Sequence, residues 1–131
     1  MTNEQLIELA KSARNNAQAS ISKFKVGAAL LTTEGKVFTG CNIEDPSGIG
    51  LTNVCAERCA VIKAISEGYT KFEKIAVVGG IENLVDAAPC GICRQYLNSF
   101  GPNMQVIFMD NNEIVTKTVK ELLPHSFNEQ F

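Results

Sequence analysis

The amino-acid sequence predicts a layered α/β/α sandwich around a mixed sheet of about five strands, and three observations carry that expectation. Short apolar or β-branched runs at Val26–Leu31, Val37–Cys41, Ile75–Val78, Val106–Met109 and Ile114–Thr118 have strand length and composition. Longer stretches opening at Thr2 and at Cys55 carry helical spacing instead. The first two strands are joined by a tight turn, whereas later ones are separated by helical segments, so antiparallel and parallel neighbours mix in one sheet.

In chain order, Thr2 with Gln5 three residues on reads as a capping box opening the first helix, with Leu6, Leu9, Ala10, Ala13 and Ala17 toward the core. Ser20-Ile21-Ser22-Lys23 interrupts that pattern and leads into Phe24. Thr33-Glu34-Gly35-Lys36 turns the first strand into the second. Asp45–Thr52, with Pro46, Gly48 and Gly50, is a loop. A helix from Cys55 to Glu67 stops at Gly68, which suits a left-handed cap. A loop after Gly79-Gly80 runs to Pro89, and a second short helix begins at Cys90. The last two strands flank Asp110-Asn111-Asn112-Glu113, and Val119–Leu123 is a final helical turn ended by Pro124.

At 131 residues, without repeat, low-complexity run or linker, residues 1–131 read as one domain. Hydrophobic residues are 45% of the chain, yet no run approaches the ~18 apolar residues of a membrane span. Met1–Leu6 lacks the basic start and apolar core of a secretory signal, so a cytoplasmic protein is expected. The net charge of −2 comes from scattered groups, and no basic stripe offers a footprint for a long nucleic acid. A small ligand fits that balance better than a polyanion.

Five cysteines, Cys41, Cys55, Cys59, Cys90 and Cys93, argue in such a chain for thiol or metal chemistry over a disulfide framework. Cys90 and Cys93 can converge across the first turn of a helix, where backbone N–H groups and the helix dipole favour thiolate. Cys55, at the start of its own helix, can supply a third sulfur. Three soft ligands point to one zinc ion with its fourth position left for water. A closed structural site needs a fourth protein ligand, and Cys59 and His125 are poorly placed for it. Glu57, two residues from Cys55, can take a proton from that water without joining the metal shell. Zinc with three thiolates carries about −1 of net charge, and Arg58 is placed in sequence to draw charge from the sulfurs. Cys41 and Cys59 read as ordinary buried cysteines.

Cys55-Ala56-Glu57 followed by Pro89-Cys90-Gly91-Ile92-Cys93 fits the three-cysteine form of the zinc-deaminase signature. With Ser22–Leu30, Gly40-Cys41-Asn42-Ile43-Glu44, Arg94-Gln95, and Glu121-Leu122-Leu123-Pro124 before Phe127, nearly the whole chain resembles the small, three-cysteine cytidine deaminases. That resemblance implies a cytidine deaminase-like fold, one zinc per subunit and hydrolytic deamination of cytidine or deoxycytidine for pyrimidine salvage. It further implies a homotetramer. Phe24 would pack on the pyrimidine, Asn42 and Glu44 would bind the ribose, the Ala56 backbone would read the base edge, and Glu57 would carry protons between water, N3 and the leaving ammonia. Phe127 would reach a neighbouring subunit's site.

Two departures bear on substrate. Ile21 stands where the family usually has tyrosine, and the Asp45–Val54 loop is about two residues longer. A modified cytidine or an aminopyrimidine antibiotic such as blasticidin S is the alternative substrate. Two other classes compete with the deaminase reading. A thiol redox protein built on Cys90 and Cys93 leaves Cys55 and Glu57 without a role, and a zinc-stabilised binding module lacks its fourth ligand.

Overall fold

The structure is a computed structural model of the chain and describes residues 1–128. The elements are α1 (Asn3–Arg14), β1 (Lys25–Thr32), β2 (Val37–Cys41), a 3₁₀ turn (Gly50–Thr52), α2 (Ala56–Ser66), β3 (Phe72–Gly80), α3 (Gly91–Asn98), β4 (Gln105–Asp110), β5 (Glu113–Thr118) and α4 (Val119–Leu122). The five strands form one sheet in the order β2-β1-β3-β4-β5. Only β3 and β4 run parallel, so the sheet is mixed, as expected.

Alternation along the central strands sorts their side chains between two layers. Leu30, Ile75, Val77 and Val106 face α2 and α3, meeting Ala60, Val61, Ala64 and Leu97. Ala29, Leu31, Ala76, Val78 and Ile107 face α1, meeting Leu6, Ile7 and Ala10. Every one of these side chains is buried, which is why β1 and β3 read as continuous apolar runs.

The capping box at Thr2 is present in both directions, but α1 ends at Arg14, three residues before Ala17. Its buried stripe is Leu6, Ile7 and Ala10, with Leu9 and Ala13 only half-buried. Past Arg14 the backbone shifts to three-residue steps, Asn16 N–H to the Ala13 carbonyl and Ala17 N–H to the Arg14 carbonyl. The Gln18 N–H then pairs with the Asn42 carbonyl, so the helix gives way to a strand-like contact. The Arg14 side chain donates to the carbonyls of Lys25, Gly80, Ile81 and Glu82. Gly68 has φ +93° after α2, in the left-handed region that suits glycine. Asn111 and Asn112, with φ of +52° and +61°, make the two-residue turn between β4 and β5. Thr118 and Glu121 form a second capping box that starts α4 directly off β5. That Thr-x-x-Glu signal stands in the sequence but was not part of the expectation above.

One close approach places α2. A Cβ at Gly40 would lie 2.5 Å from the Ala56 carbonyl oxygen and 2.6 Å from the Ala60 nitrogen. The first turn of α2 therefore rests on β2 through backbone at a position only glycine allows. Gly40→Ala is expected to cost about 1–3 kcal/mol in urea unfolding, the usual penalty for overpacking. It should also weaken zinc retention, since it displaces the helix start that carries Cys55. Unchanged stability would show that the contact yields freely.

Candidate active site

Cys55 is the N-cap of α2 and Cys90 the N-cap of α3, so two helix starts converge on one point. Neither uses its side chain to cap its own helix, which leaves both sulfurs free for another partner. Cys93 lies in the first turn of α3 and is buried. The three Sγ atoms fall within 4.8 Å of one another, and Cys55 Sγ lies 3.9 Å from Cys90 Sγ. Two ligands ~2.3 Å from one tetrahedral ion stand roughly 3.8 Å apart, so the spacing suits zinc. Among the described residues this is the only group of three or more cysteine, histidine or carboxylate side chains close enough to share an ion.

The electrostatics give the same reading. Cys55 is pushed down to about 5, first by the hydrogen bond from the Cys93 thiol and further by the Arg58 guanidinium. Cys93 is pushed up, first by that same bond and then by burial. The opposed directions belong to the pair: two crowded sulfurs ionise one before the other, because a second negative charge beside the first is unfavourable. Ionising all three requires a cation in their midst, and a soft divalent ion fits the donor set.

Glu57, at the second position of α2, is 3% exposed. Burial raises its carboxyl above the ordinary value and outweighs the hydrogen bond from its own backbone N–H, which acts the other way. Arg58 is half-buried, and its Nη2 is 3.1 Å from the Asn53 carbonyl, to which it donates, and 3.7 Å from Cys55 Sγ. Its Nε is buried without a partner among the described residues.

A cavity of about 230 Å3 opens beside the sulfurs, lined by Phe24, Val26, Asn42, Cys55, Ala56 and Glu57 with Val77, Ala87, Ala88 and Cys90. That is below the roughly 300–1,000 Å3 of pockets for drug-sized ligands, so only a compact occupant fits within it. Asn42 holds its rim in two directions, accepting from the Val26 N–H and donating to the Phe24 carbonyl, each at 2.8 Å. An amide has two N–H donors and two acceptor lone pairs, so one donor and one lone pair remain for a ligand. The far wall is braced from a distance. The Asp86 carboxylate accepts from the backbone N–H groups of Asn111 and Asn112, and the Ala87 N–H donates to Met109, tying the loop before Pro89 to the β4–β5 hairpin.

Phe24, Asn42, Ala56 and Glu57 thus meet at one cavity with Cys55 and Cys90, whereas Glu44 and Phe127 are not among its lining residues. Glu44 accepts from the N–H groups of Ile21 and Ser22, closing the turn that leads to Phe24. Phe127 is 67% exposed, with its carbonyl held by Gln95 Nε2. Ile21 is exposed. The Asp45–Val54 loop folds on itself around Asp45, whose carboxylate accepts from Ser47 and Thr52 while its N–H donates to Asn53, and it lends no side chain to the cavity. Val26, Val77, Ala87 and Ala88 line the cavity without having been expected as site residues. Their apolar types signal core, and only the fold brings them to the site. A wider, open depression of about 930 Å3, lined by Pro102, Lys120, Leu123, His125 and others, includes none of the cysteines or Glu57.

Residues 1–109 match the family model for the cytidine and deoxycytidylate deaminase zinc-binding region. Cytidine deaminase of Sporosarcina psychrophila is 43% identical over 129 residues, covering 97% of this chain and 92% of that protein. Blasticidin-S deaminase of Bacillus cereus is 35% identical over 109 residues, covering 79% and 76% respectively. The crystal structure of cytidine deaminase from Burkholderia pseudomallei superposes with a TM-score of 0.86 at 44% identity, covering 97% of this chain and all of that one. Five strands in the same arrangement, the three-thiol cluster and the extent of these matches agree that the chain belongs to the cytidine and deoxycytidylate deaminase family.

Proposed function

We propose that the protein hydrolyses cytidine and deoxycytidine to uridine and deoxyuridine, releasing ammonia. The observation that carries this reading is a buried carboxyl, Glu57, sharing one small cavity with Cys55 and Cys90 of the zinc-type cluster and with Phe24 and Asn42. When bound, zinc supplies the Lewis acidity that makes water nucleophilic near neutral pH. Glu57 accepts the proton of the attacking water, delivers it to N3 of the base, and assists departure of the amine from C4. A raised carboxyl pKa suits a group that must both take and return a proton.

The Phe24 ring supplies an apolar wall for the pyrimidine, and the Ala56 backbone at the helix start reads the base edge. Asn42 offers its spare donor and lone pair to the ribose. Glu44, engaged with the Ile21–Ser22 backbone, would meet the ribose at the cavity rim. Cytidine stands ahead of blasticidin S because the cytidine deaminase of Sporosarcina psychrophila is more similar and matches over more of the chain. Among the described residues no helix is long and apolar enough to cross a membrane. A cytoplasmic homotetramer acting on free nucleosides rather than long nucleic acids completes the reading.

Conversion of cytidine followed by ultraviolet absorbance is the primary test. Wild-type protein should turn over, Glu57→Ala should lose at least about 10³-fold in kcat while keeping one zinc, and blasticidin S should be the poorer substrate. Zinc-loaded wild type inert toward cytidine would refute the reading. Arg58→Gln should lower zinc affinity about tenfold against a competing chelator, as loss of a group that braces a metal ligand does, and unchanged affinity would remove Arg58 from the site. If Phe127 serves a neighbour, mixed Glu57→Ala and Phe127→Ala subunits should recover activity that neither variant has alone. Failure of hybrids to exceed the Phe127→Ala level would confine Phe127 to its own subunit.

A further inference from the structure

The strand that floors the cavity carries a gap in its row of side chains. Val77 lines the cavity, and Gly79, two residues along β3, shares its face. The Phe24 ring occupies the space above Gly79: a Cβ there would lie 2.8 Å from Phe24 Cε1 and 3.3 Å from Cζ. Contacts under 3.0 Å do not persist, so either backbone or ring must move.

The backbone is held on each side. Gly79 pairs with Val26 in the β1–β3 ladder, and its carbonyl accepts from the Val85 N–H. Arg14 donates to the carbonyls of Gly80 and Lys25, the neighbours of Gly79 and of Phe24. Asn42 Nδ2 grips the Phe24 carbonyl, and the Phe24 N–H donates to Ser22 Oγ at 3.0 Å. The ring is what remains free to yield. It borders the catalytic cavity and also an open depression of about 360 Å3 shared with Ile81, Glu82, Asn83 and Val85.

We propose that Gly79 is a specificity-setting position: its missing side chain seats the Phe24 ring, and the seated ring sets the width of the cavity for the substrate base. This inference rests on the proposed role of Phe24 as the wall against the pyrimidine. Gly79 touches no substrate and acts as a positioning residue through Phe24. An added methyl shifts the wall by a fraction of an ångström or more, enough to alter base binding while leaving the zinc ligands and Glu57 in place.

Steady-state kinetics on cytidine with zinc-loaded wild type, Gly79→Ala, Phe24→Leu and the double variant test it. Gly79→Ala should raise KM about three- to tenfold with kcat within about twofold and zinc content unchanged. In the Phe24→Leu background, where the shorter side chain can turn aside, the same alanine should change KM less than about twofold. An equal effect in both backgrounds, or none in either, overturns the proposal, the former by showing that the glycine serves the backbone. If Phe24→Leu alone leaves KM at the wild-type value, the wall role of Phe24 fails instead, and the proposal falls with it. Should Gly79→Ala not fold, recovery of folding in the double variant supports the ring clash, and failure of both overturns it.

Discussion

Three cysteine sulfurs within 4.8 Å of one another repel as thiolates, and most of the site can be understood as the means by which that crowding is tolerated. Two helix N-termini bring their partial positive charge to the cluster, because Cys55 and Cys90 are the N-caps of α2 and α3. A guanidinium stands against one sulfur, and a cation among the three completes the neutralisation. Without the cation, the opposed shifts of Cys55 and Cys93 express the difficulty of ionising both sulfurs at once. The fold must therefore hold the sulfurs together against their own repulsion before metal arrives. It does so with backbone contacts that cannot easily relax, such as Gly40 beneath Ala56 and Ala60.

The cavity beside that cluster is made rigid by peptide groups more than by side-chain packing. Asn42 binds the N–H of Val26 and the carbonyl of Phe24, and Arg14 gathers four carbonyls from the two segments that flank the Phe24 ring. Asp86 ties the opposite wall to the β4–β5 turn. Each of these three side chains has several charged or amide hydrogen bonds in fixed geometry, the kind that hold a loop near its productive shape. Loops with such anchors can carry a site as precisely as a strand can.

The zinc-type cluster was legible in the sequence because its ligands come in short local patterns that also start helices. Cys55-Ala56-Glu57 and Pro89-Cys90-Gly91-Ile92-Cys93 announce both the chemistry and the secondary structure that positions it. The five strands were legible for a similar reason: β1 and β3 are buried on both faces and show as unbroken apolar runs. What escaped was set by partners distant in sequence. Ala17 keeps helical spacing with Ala13, yet α1 ends at Arg14 and the next free N–H, that of Gln18, pairs with the Asn42 carbonyl far along the chain. Glu44 also closes the Ile21–Ser22 turn, a contact with residues more than twenty positions away that no local pattern signals. The seat that Gly79 offers Phe24 joins residues 55 positions apart, and no local pattern could signal it.

Glu57 shows how stability and chemistry oppose each other at this site. A carboxyl 3% exposed on the first turn of α2 is unfavourable as an anion, and burial raises its pKa accordingly. By linkage, a carboxyl raised on folding contributes its stability below its unfolded pKa and loses it as pH climbs through the folded value. Near neutral pH the fold therefore bears a cost at Glu57 that an uncharged side chain of similar shape would relieve. The chain offsets that cost with the well-packed layer around it, where Ala56, Ala60, Val61 and Ala64 are fully buried. A core residue chosen for stability alone would be apolar at position 57. The carboxyl there, and the positive helix start that makes its ionised form bearable, are what a proton carrier beside a metal-activated water requires.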